Sequence, residues 1–370
     1  MSSLEIVSFT KKDIPGITAL NDLHYQNNDL SFSDYFNWKF IQCPHGRARI
    51  IVCKDKTKAG MIVGKTVGIP KEVKISTHTV TADLMTDILV HPEYRGRGIA
   101  PMLAKALYED CKSEGHIFSY AVANQQSLYF HTKRLKTKII GEIPLLIRLI
   151  DPRGFNKRLK RLPFANTILT IVQKAIQLTS WRRKTRMKPG DLGIRIQEIT
   201  NFDDSFNLFW ATVKNKRPVM VTRSTEYLQW RFGDVPHRAY RKWVVIEKGS
   251  GQIRGYMVVR IMEVNAIKCG MIADLLIEDT DRGLEAGKFL ISEAVKYFRN
   301  ERVALSGCLM LPGTVEFDLL RMCGHFVCPR RFQPQPFPII QESQAGDLSL
   351  QEYYGNLNNW FFTMGDFDVV

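Results

Sequence analysis

The chain is short of the features that would place it quickly. Its seven cysteines (Cys43, Cys53, Cys111, Cys269, Cys308, Cys323, Cys328) are an odd number, with no C-x-x-C pair and no histidine at zinc-finger spacing. Neither a disulfide framework nor a structural metal is supported, and a reducing compartment suits them. There is no long apolar run either. The most apolar stretch, Ile143 to Ile150, is interrupted by Arg148, far short of the ~18 residues of a bilayer span. The opening Met1-Ser-Ser-Leu-Glu has no basic region followed by an apolar one, so a soluble, cytoplasmic protein is expected. With 370 residues and 45% apolar composition, disorder is excluded as the main state and two domains are expected.

What the chain does have is positive charge, +15 from 52 Lys and Arg against 37 Asp and Glu. Such an excess suits an anionic partner: nucleic acid, a lipid headgroup or a phosphorylated small molecule. Much of it is local. Between Asp151 and Gly190 a dense series including Arg153, Lys157, Arg161, Arg182, Arg183 and Lys188 is opposed only by Asp151. The middle of this stretch, from Phe164 to Leu178, places Ile168, Ile171, Val172 and Ala175 at helical spacing, an amphipathic helix between basic flanks. It reads as a connector packed on a domain or as a surface for anionic lipid or RNA.

On either side of this connector the sequence repeats. Tyr35-x-x-Trp38-Lys39-Phe40 followed by Pro44 returns as Tyr227-x-x-Trp230-Arg231-Phe232 followed by Pro236. Asp87 precedes Arg95-Gly96 by the same eight residues that separate Asp274 from Arg282-Gly283. Two matched landmarks argue for duplication. Each copy has β-branched runs bounded by turn residues, at 48–53, 60–67 and 79–90 and again at 243–247, 256–261 and 271–277, then an amphipathic helix. The expected domains are 1–150 and 193–370, joined by a basic helical linker over 151–192.

The segment Val90-His91-Pro92-Glu93-Tyr94-Arg95-Gly96-Arg97-Gly98-Ile99-Ala100-Pro101 joins a strand to a helix, and its residue types suit the cradling of a pyrophosphate. Gly96 and Gly98 let the backbone turn and approach closely. Free N–H groups of the loop and first helical turn face the anion at the positive end of the helix dipole, and Arg95 and Arg97 add charge. It is neither a Walker loop nor G-x-G-x-x-G. Here the chain resembles the GNAT superfamily of CoA-dependent N-acyltransferases, whose hallmark R/Q-x-x-G-x-G/A is met by Arg95, Gly98 and Ala100. The stretch Ala123-Asn124-Gln125-Gln126-Ser127-Leu128-Tyr129 resembles the family's next segment, although Phe130-His131 replaces the customary Gly-Phe.

The resemblance implies an α/β fold, an α+β sandwich, of two tandem GNAT-like domains, each with a mixed, mostly antiparallel sheet flanked by helices. It implies acetyl-CoA or another acyl-CoA as co-substrate and no metal. The cofactor-binding residues would be Ile88, Leu89, Val90, Arg95, Gly96, Arg97, Gly98, Ile99, Ala100 and Asn124. Tyr129 would face the thiol, and backbone amides at Ile88 to Val90 would hold the acyl carbonyl. In the second copy Glu285 falls at the position of Gly98, where a carboxylate repels a pyrophosphate, so only the first copy is expected to bind CoA. Tandem relatives include N-myristoyltransferases, Fem aminoacyl transferases and polysaccharide-associated acetyltransferases.

Individual residues carry two readings. Trp38 and Trp230, kept in both copies, read as core anchors. Asp87 and Asp274 read as fold carboxylates, with Asp87 also placed to act as a base, and His91 reads as a base or as a loop histidine before proline. Tyr129 has no counterpart in the second copy. The expected function is acyl transfer to a primary amine, an amino sugar or another anionic small molecule. Nucleic acid is a less favoured partner, and peripheral membrane contact through the basic linker stays open, as does oligomeric state. The alternatives are a Fem-like transferase using aminoacyl-tRNA and a non-catalytic CoA-binding or partner-binding protein.

Overall fold

A computed structural model describes residues 3–25, 29, 32–155, 189–344 and 348–367. The proposed linker helix and most of its basic flanks lie outside them. Two compact units form, and neither is contiguous: Met1–Gly141 with Glu226–Arg238 and Pro338–Leu357, and Glu142–Thr225 with Ala239–Phe337 and Asn358–Val370. Among the described residues no helix is long and apolar enough to cross a membrane.

The first unit is built on β1 (Leu4–Ser8), β2 (Arg49–Asp55), β3 (Met61–Ile75), β4 (His78–Val90), β5 (Phe118–Val122) and β6 (Lys138–Glu142). The expected runs are present, but β3 continues past Val67 through Pro70. Pro70 lies beyond the last pairing with β2, Arg49 with Gly68, where the N–H it lacks has no β2 partner to miss. Helix α1 (Ile14–His24) and helix α2 (Ser33–Phe40) precede β2, and α3 (Ile99–Ser113) joins β4 to β5. The apolar stripe of α3, Ile99, Leu103, Leu107 and Cys111, packs on Ile51, Cys53, Val63 and Met85 of the sheet. Each such aliphatic side chain contributes about 1.5–3 kcal/mol by leaving water.

The second unit holds β7 (Leu145–Leu149), β8 (Ile194–Ile199), the short β9 (Val219–Val221), β10 (Arg241–Glu247), β11 (Ile253–Val264), β12 (Ile267–Ile277), β13 (Leu305–Leu309) and β14 (Phe326–Val327), and its sheet runs β14-β7-β13-β12-β11-β10-β8. The first sheet runs β1-β2-β3-β4-β5-β15-β6, with β15 spanning Pro338–Ser343. The sequential boundary at residue 150 therefore gives way to an exchange. β7, from the first copy, pairs antiparallel with β13 (Leu305 with Leu149), while β15, from the second, pairs with β5 (Ile339 with Val122). Strand patterns report which residues alternate, and the partner is chosen by a long-range ladder that local patterns do not encode.

The repeated aromatic motif follows the same exchange, because Glu226–Arg238 belongs to the first unit. Trp38 and Trp230 are both buried and stack with centroids 5.0 Å apart. The indole of Trp38 donates to the carbonyl of Trp230 at 2.7 Å, and that of Trp230 donates to the carbonyl of Trp38 at 2.9 Å. The two copies of one motif thus form a single reciprocal pair, which satisfies both indole donors inside the core.

Candidate functional site

The loop before α3 is anchored at Tyr94, whose hydroxyl donates to Asp55 at 2.7 Å while its ring lies under Arg97 at 4.7 Å. His91 starts the turn: its Nδ1 accepts from the Glu93 amide at 3.3 Å. The same imidazole lines a cavity of about 240 Å³ with Lys12, Asp13, Leu20, Lys58 and Ile62. Arg95, Gly96, Arg97 and Gly98 are exposed. Gly96 and Gly98 have φ of +78° and +77°, the left-handed region, and a Cβ on either would meet no atom within 4 Å. Gly98 is the N-cap of α3 and offers no side chain to its orphan amides. Among the described residues, no backbone carbonyl outside the helix accepts from the amides of Gly96 to Ala100, and Pro101 has no N–H. Ile99 is buried in the core and fixes the start of α3, while Ala100 is half-buried. The loop is a nest of free donors at a helix N-terminus, with two guanidinium-bearing residues beside it.

Next to it the sheet opens. β4 and β5 pair in parallel only at Asp83 with Ser119 and Leu84 with Tyr120. Beyond these residues the β4 edge has no β5 partner, leaving a wedge that ends at Ile88, Leu89 and Val90. A bulge interrupts the β3 and β4 register between Lys65 and Val67, opposite Asp87, whose φ is +55°. The Asp87 carboxylate sits 3.3 Å from Lys39 Nζ and 3.9 Å from Lys65 Nζ, all three side chains being almost fully buried. Burial alone would raise its pKa, but the two ammonium groups hold it below the usual carboxylate range. Asp87 stays ionised, which suits a charge anchor better than a proton acceptor.

His24, at the end of α1, carries no signal in the sequence pattern. Its Nε2 lies 3.1 Å from the carbonyl oxygen of Val90, so the neutral ring donates there and presents Nδ1 as an acceptor. Burial lowers its pKa, with the neighbouring Arg95, His91 and Lys65 adding to the effect. It is a neutral imidazole at the end of the wedge. Only its position on α1, far from the loop in sequence, hid it.

Asn124 and Tyr129 lie on and beside helix α4 (Gln125–Phe130). Asn124 is its N-cap, with Oδ1 accepting from the Ser127 amide at 2.8 Å, which leaves its amide nitrogen for other partners. Tyr129 is 64% exposed, so the protein itself does not hold its phenol against the wedge.

The second copy differs for a reason other than a misplaced carboxylate. Its helix, Asp281–Asn300, begins directly after Thr280, whose hydroxyl accepts from the Gly283 amide at 3.1 Å. Arg282 and Gly283 are inside the first turn rather than in a loop. A Cβ on Gly283 would stand 2.0 Å from the carbonyl oxygen of Glu278, so this helix start is closed by its own backbone. Glu285 is one turn further on and pairs with Lys288 at 2.5 Å. Asp274, the counterpart of Asp87, is fully buried between Arg223 Nε at 2.9 Å and the Tyr256 hydroxyl at 2.8 Å. Arg223 also binds Asp366 at 2.6 and 2.8 Å. Burial opposes the guanidinium charge, and the two carboxylates keep it protonated. This network belongs to the fold of the second unit.

Residues 5–131 match the family model of the acetyltransferase (GNAT) domain. No curated protein sequence matches the chain. Among solved structures, a conserved protein of unknown function from Enterococcus faecalis V583, described as a probable N-acyltransferase, is 12% identical. The match covers 95% of this chain and 74% of that one, with a TM-score of 0.62. Saccharomyces cerevisiae N-myristoyltransferase with bound myristoyl-CoA is 14% identical over 92% of this chain and 83% of its own, with a TM-score of 0.59. A GCN5-related N-acetyltransferase from Anabaena variabilis ATCC 29413 is 9% identical over 92% and 73%, with a TM-score of 0.60. At these identities the likeness carries the fold: two mixed sheets flanked by helices.

Proposed function

We propose that the chain is an acyl-CoA-dependent N-acyltransferase with one working centre, in the first unit, and a second copy that has lost its cofactor loop. One observation carries this reading: the free amides and positive-φ glycines at the start of α3, set against the closed, Thr280-capped start of the matching helix. In the family, the first arrangement takes the pyrophosphate of CoA, and the second has no room for one.

Bound acyl-CoA supplies an activated carbonyl and a thiolate leaving group. Amides from Gly96 to Ala100, with Arg95 and Arg97, hold its phosphates, and the unpaired β4 edge at Ile88 to Val90 offers amides to the acyl oxygen as negative charge grows there. The acceptor amine is protonated at neutral pH, with a pKa near ~10 for an alkylammonium. His24 Nδ1 takes that proton, directly or through water, since its depressed pKa keeps it neutral. Asp87 positions Lys39 and Lys65 at the β4 bulge. Tyr129 orients or protonates the departing sulfur, and Asn124 contributes its amide nitrogen to the pantetheine arm. The acceptor is a primary amine on a small, anionic molecule, in keeping with the net charge of +15.

An aminoacyl-tRNA donor would not need the loop at 95–100, and a purely binding role would not explain a neutral imidazole at the end of β4. Release of free thiol from acetyl-CoA and from myristoyl-CoA, measured with a thiol reagent across a panel of amines, tests the reading. Turnover with one donor and mass gain on one amine are expected. Thiol release no faster than from Gly98→Glu, with every donor and amine, would overturn it.

A further inference from the structure

Midway along β4, beside the end of α3 remote from the loop, Asp83, Cys111 and His116 bring three different donor atoms within 4.8 Å of one another. Asp83 lies on β4, Cys111 in the last turn of α3 and His116 in the connection to β5. Asp83 and Cys111 are fully buried, and the side chain of His116 is 11% exposed. His116 Nδ1 is 2.7 Å from Asp83 Oδ2. The same carboxylate is hydrogen-bonded to the Cys111 thiol, so the thiol and the imidazole converge on Asp83 from two elements. Gly68, on β3, leaves space beside both remaining donors: a Cβ there would stand 3.4 Å from Oδ1 and 3.5 Å from Cys111 Sγ.

We propose that Asp83, Cys111 and His116 bind one zinc ion, with water in the fourth position. A zinc ion would take the place of the protons shared within this cluster and engage the carboxylate, the thiolate and an imidazole nitrogen together, all three donor atoms lying within 4.8 Å of one another. One O, one S and one N donor suit this borderline-soft ion, whose tetrahedral ligand atoms stand roughly 3.3–3.6 Å apart. Burial and the neighbouring Asp83 push the Cys111 thiol pKa up, so zinc enters by displacing a proton from sulfur. The exposed edge of His116 gives the ion its route. Sequence spacing missed the group because Asp83 is far upstream, on another element.

The site's role is a clasp. It ties the end of α3 and the start of β5 to β4 at Asp83, which pairs with Ser119 just before the two strands part. The proposal stands independently of the acyl-transfer reading.

The test is titration of the metal-free, reduced full chain with cobalt(II). One equivalent producing a thiolate-to-cobalt charge-transfer band is expected. The band should vanish in Cys111→Ser, with the other six cysteines in place, and His116→Gln should weaken cobalt binding by at least about tenfold. Zinc should raise the Tm of the wild type and leave that of Cys111→Ser unchanged. If Cys111→Ser fails to fold by circular dichroism, His116→Gln and Asp83→Asn give the same reading. No charge-transfer band in the wild type, or a band unchanged in a folded variant, overturns the proposal.

Discussion

Replacing Gly98 by alanine separates backbone strain from ligand recognition. Gly98 has φ +77°, and its new methyl group would meet no protein atom within 4 Å. The fold is therefore charged only the left-handed conformation, about 1–2 kcal/mol, or roughly 2–8 °C in Tm for a unit of this size. Gly115, just beyond the other end of α3, has φ +80° and equally open surroundings. Gly115→Ala should cost the same. Ligand binding should tell the two apart. Alanine at Gly98 turns the amides of the first helical turn away from the anion, and each hydrogen bond to a charged group is worth about 1.5–3 kcal/mol. CoA affinity should fall by a factor of ~10–10² in Gly98→Ala and stay at the wild-type value in Gly115→Ala. Differential scanning fluorimetry gives the first quantity and calorimetric titration the second. Equal CoA affinities for the two variants, at equal loss of Tm, would refute the placement of the anion at this loop.

Three further outcomes follow from the geometry. His24→Gln should lower kcat/KM by about 10²-fold, and the wild-type rate should drop only below pH 6.5, because the depressed pKa of His24 keeps the base available down to that region; an unchanged acid limb in the variant would assign the base elsewhere. Tyr129→Phe should lower kcat by about 10²-fold with little change in CoA affinity, and an unaltered kcat would remove the phenol from the mechanism. Burial holds His131 down at about 4 and, with Arg148 adding to burial, His325 at about 3. Each therefore stabilises the fold fully above pH 6.5 and loses that contribution as pH falls, by about 3 kcal/mol per histidine at pH 4. Urea midpoints should fall accordingly, and less steeply in a folded His131→Asn.

Local features were the legible ones. The turn residues around Gly96 and Gly98 and the apolar stripe of α3 fixed the strand, loop and helix, because each depends on residues a few positions apart. The duplication was legible too, through Trp38 with Trp230 and Asp87 with Asp274. What these pairs do was not. The stacking of the two tryptophans in one unit and the exchange of β7 and β15 are contacts between residues 156 to 225 positions apart, set by which strand edges remain open. The loss of the second loop was anticipated for the wrong cause: Glu285 matches Gly98 in count, but Thr280 starts its helix early, and a cap competes with a loop on energies that residue counting does not weigh. His24 illustrates the same limit, since its value lies in one hydrogen bond to Val90.

The most direct test of a single working centre is calorimetric titration of the full chain with CoA. The account predicts one site per chain, lost in Gly98→Glu and not joined by a second in Glu285→Gly. Two equal sites, or a wild-type site surviving in Gly98→Glu, would contradict it.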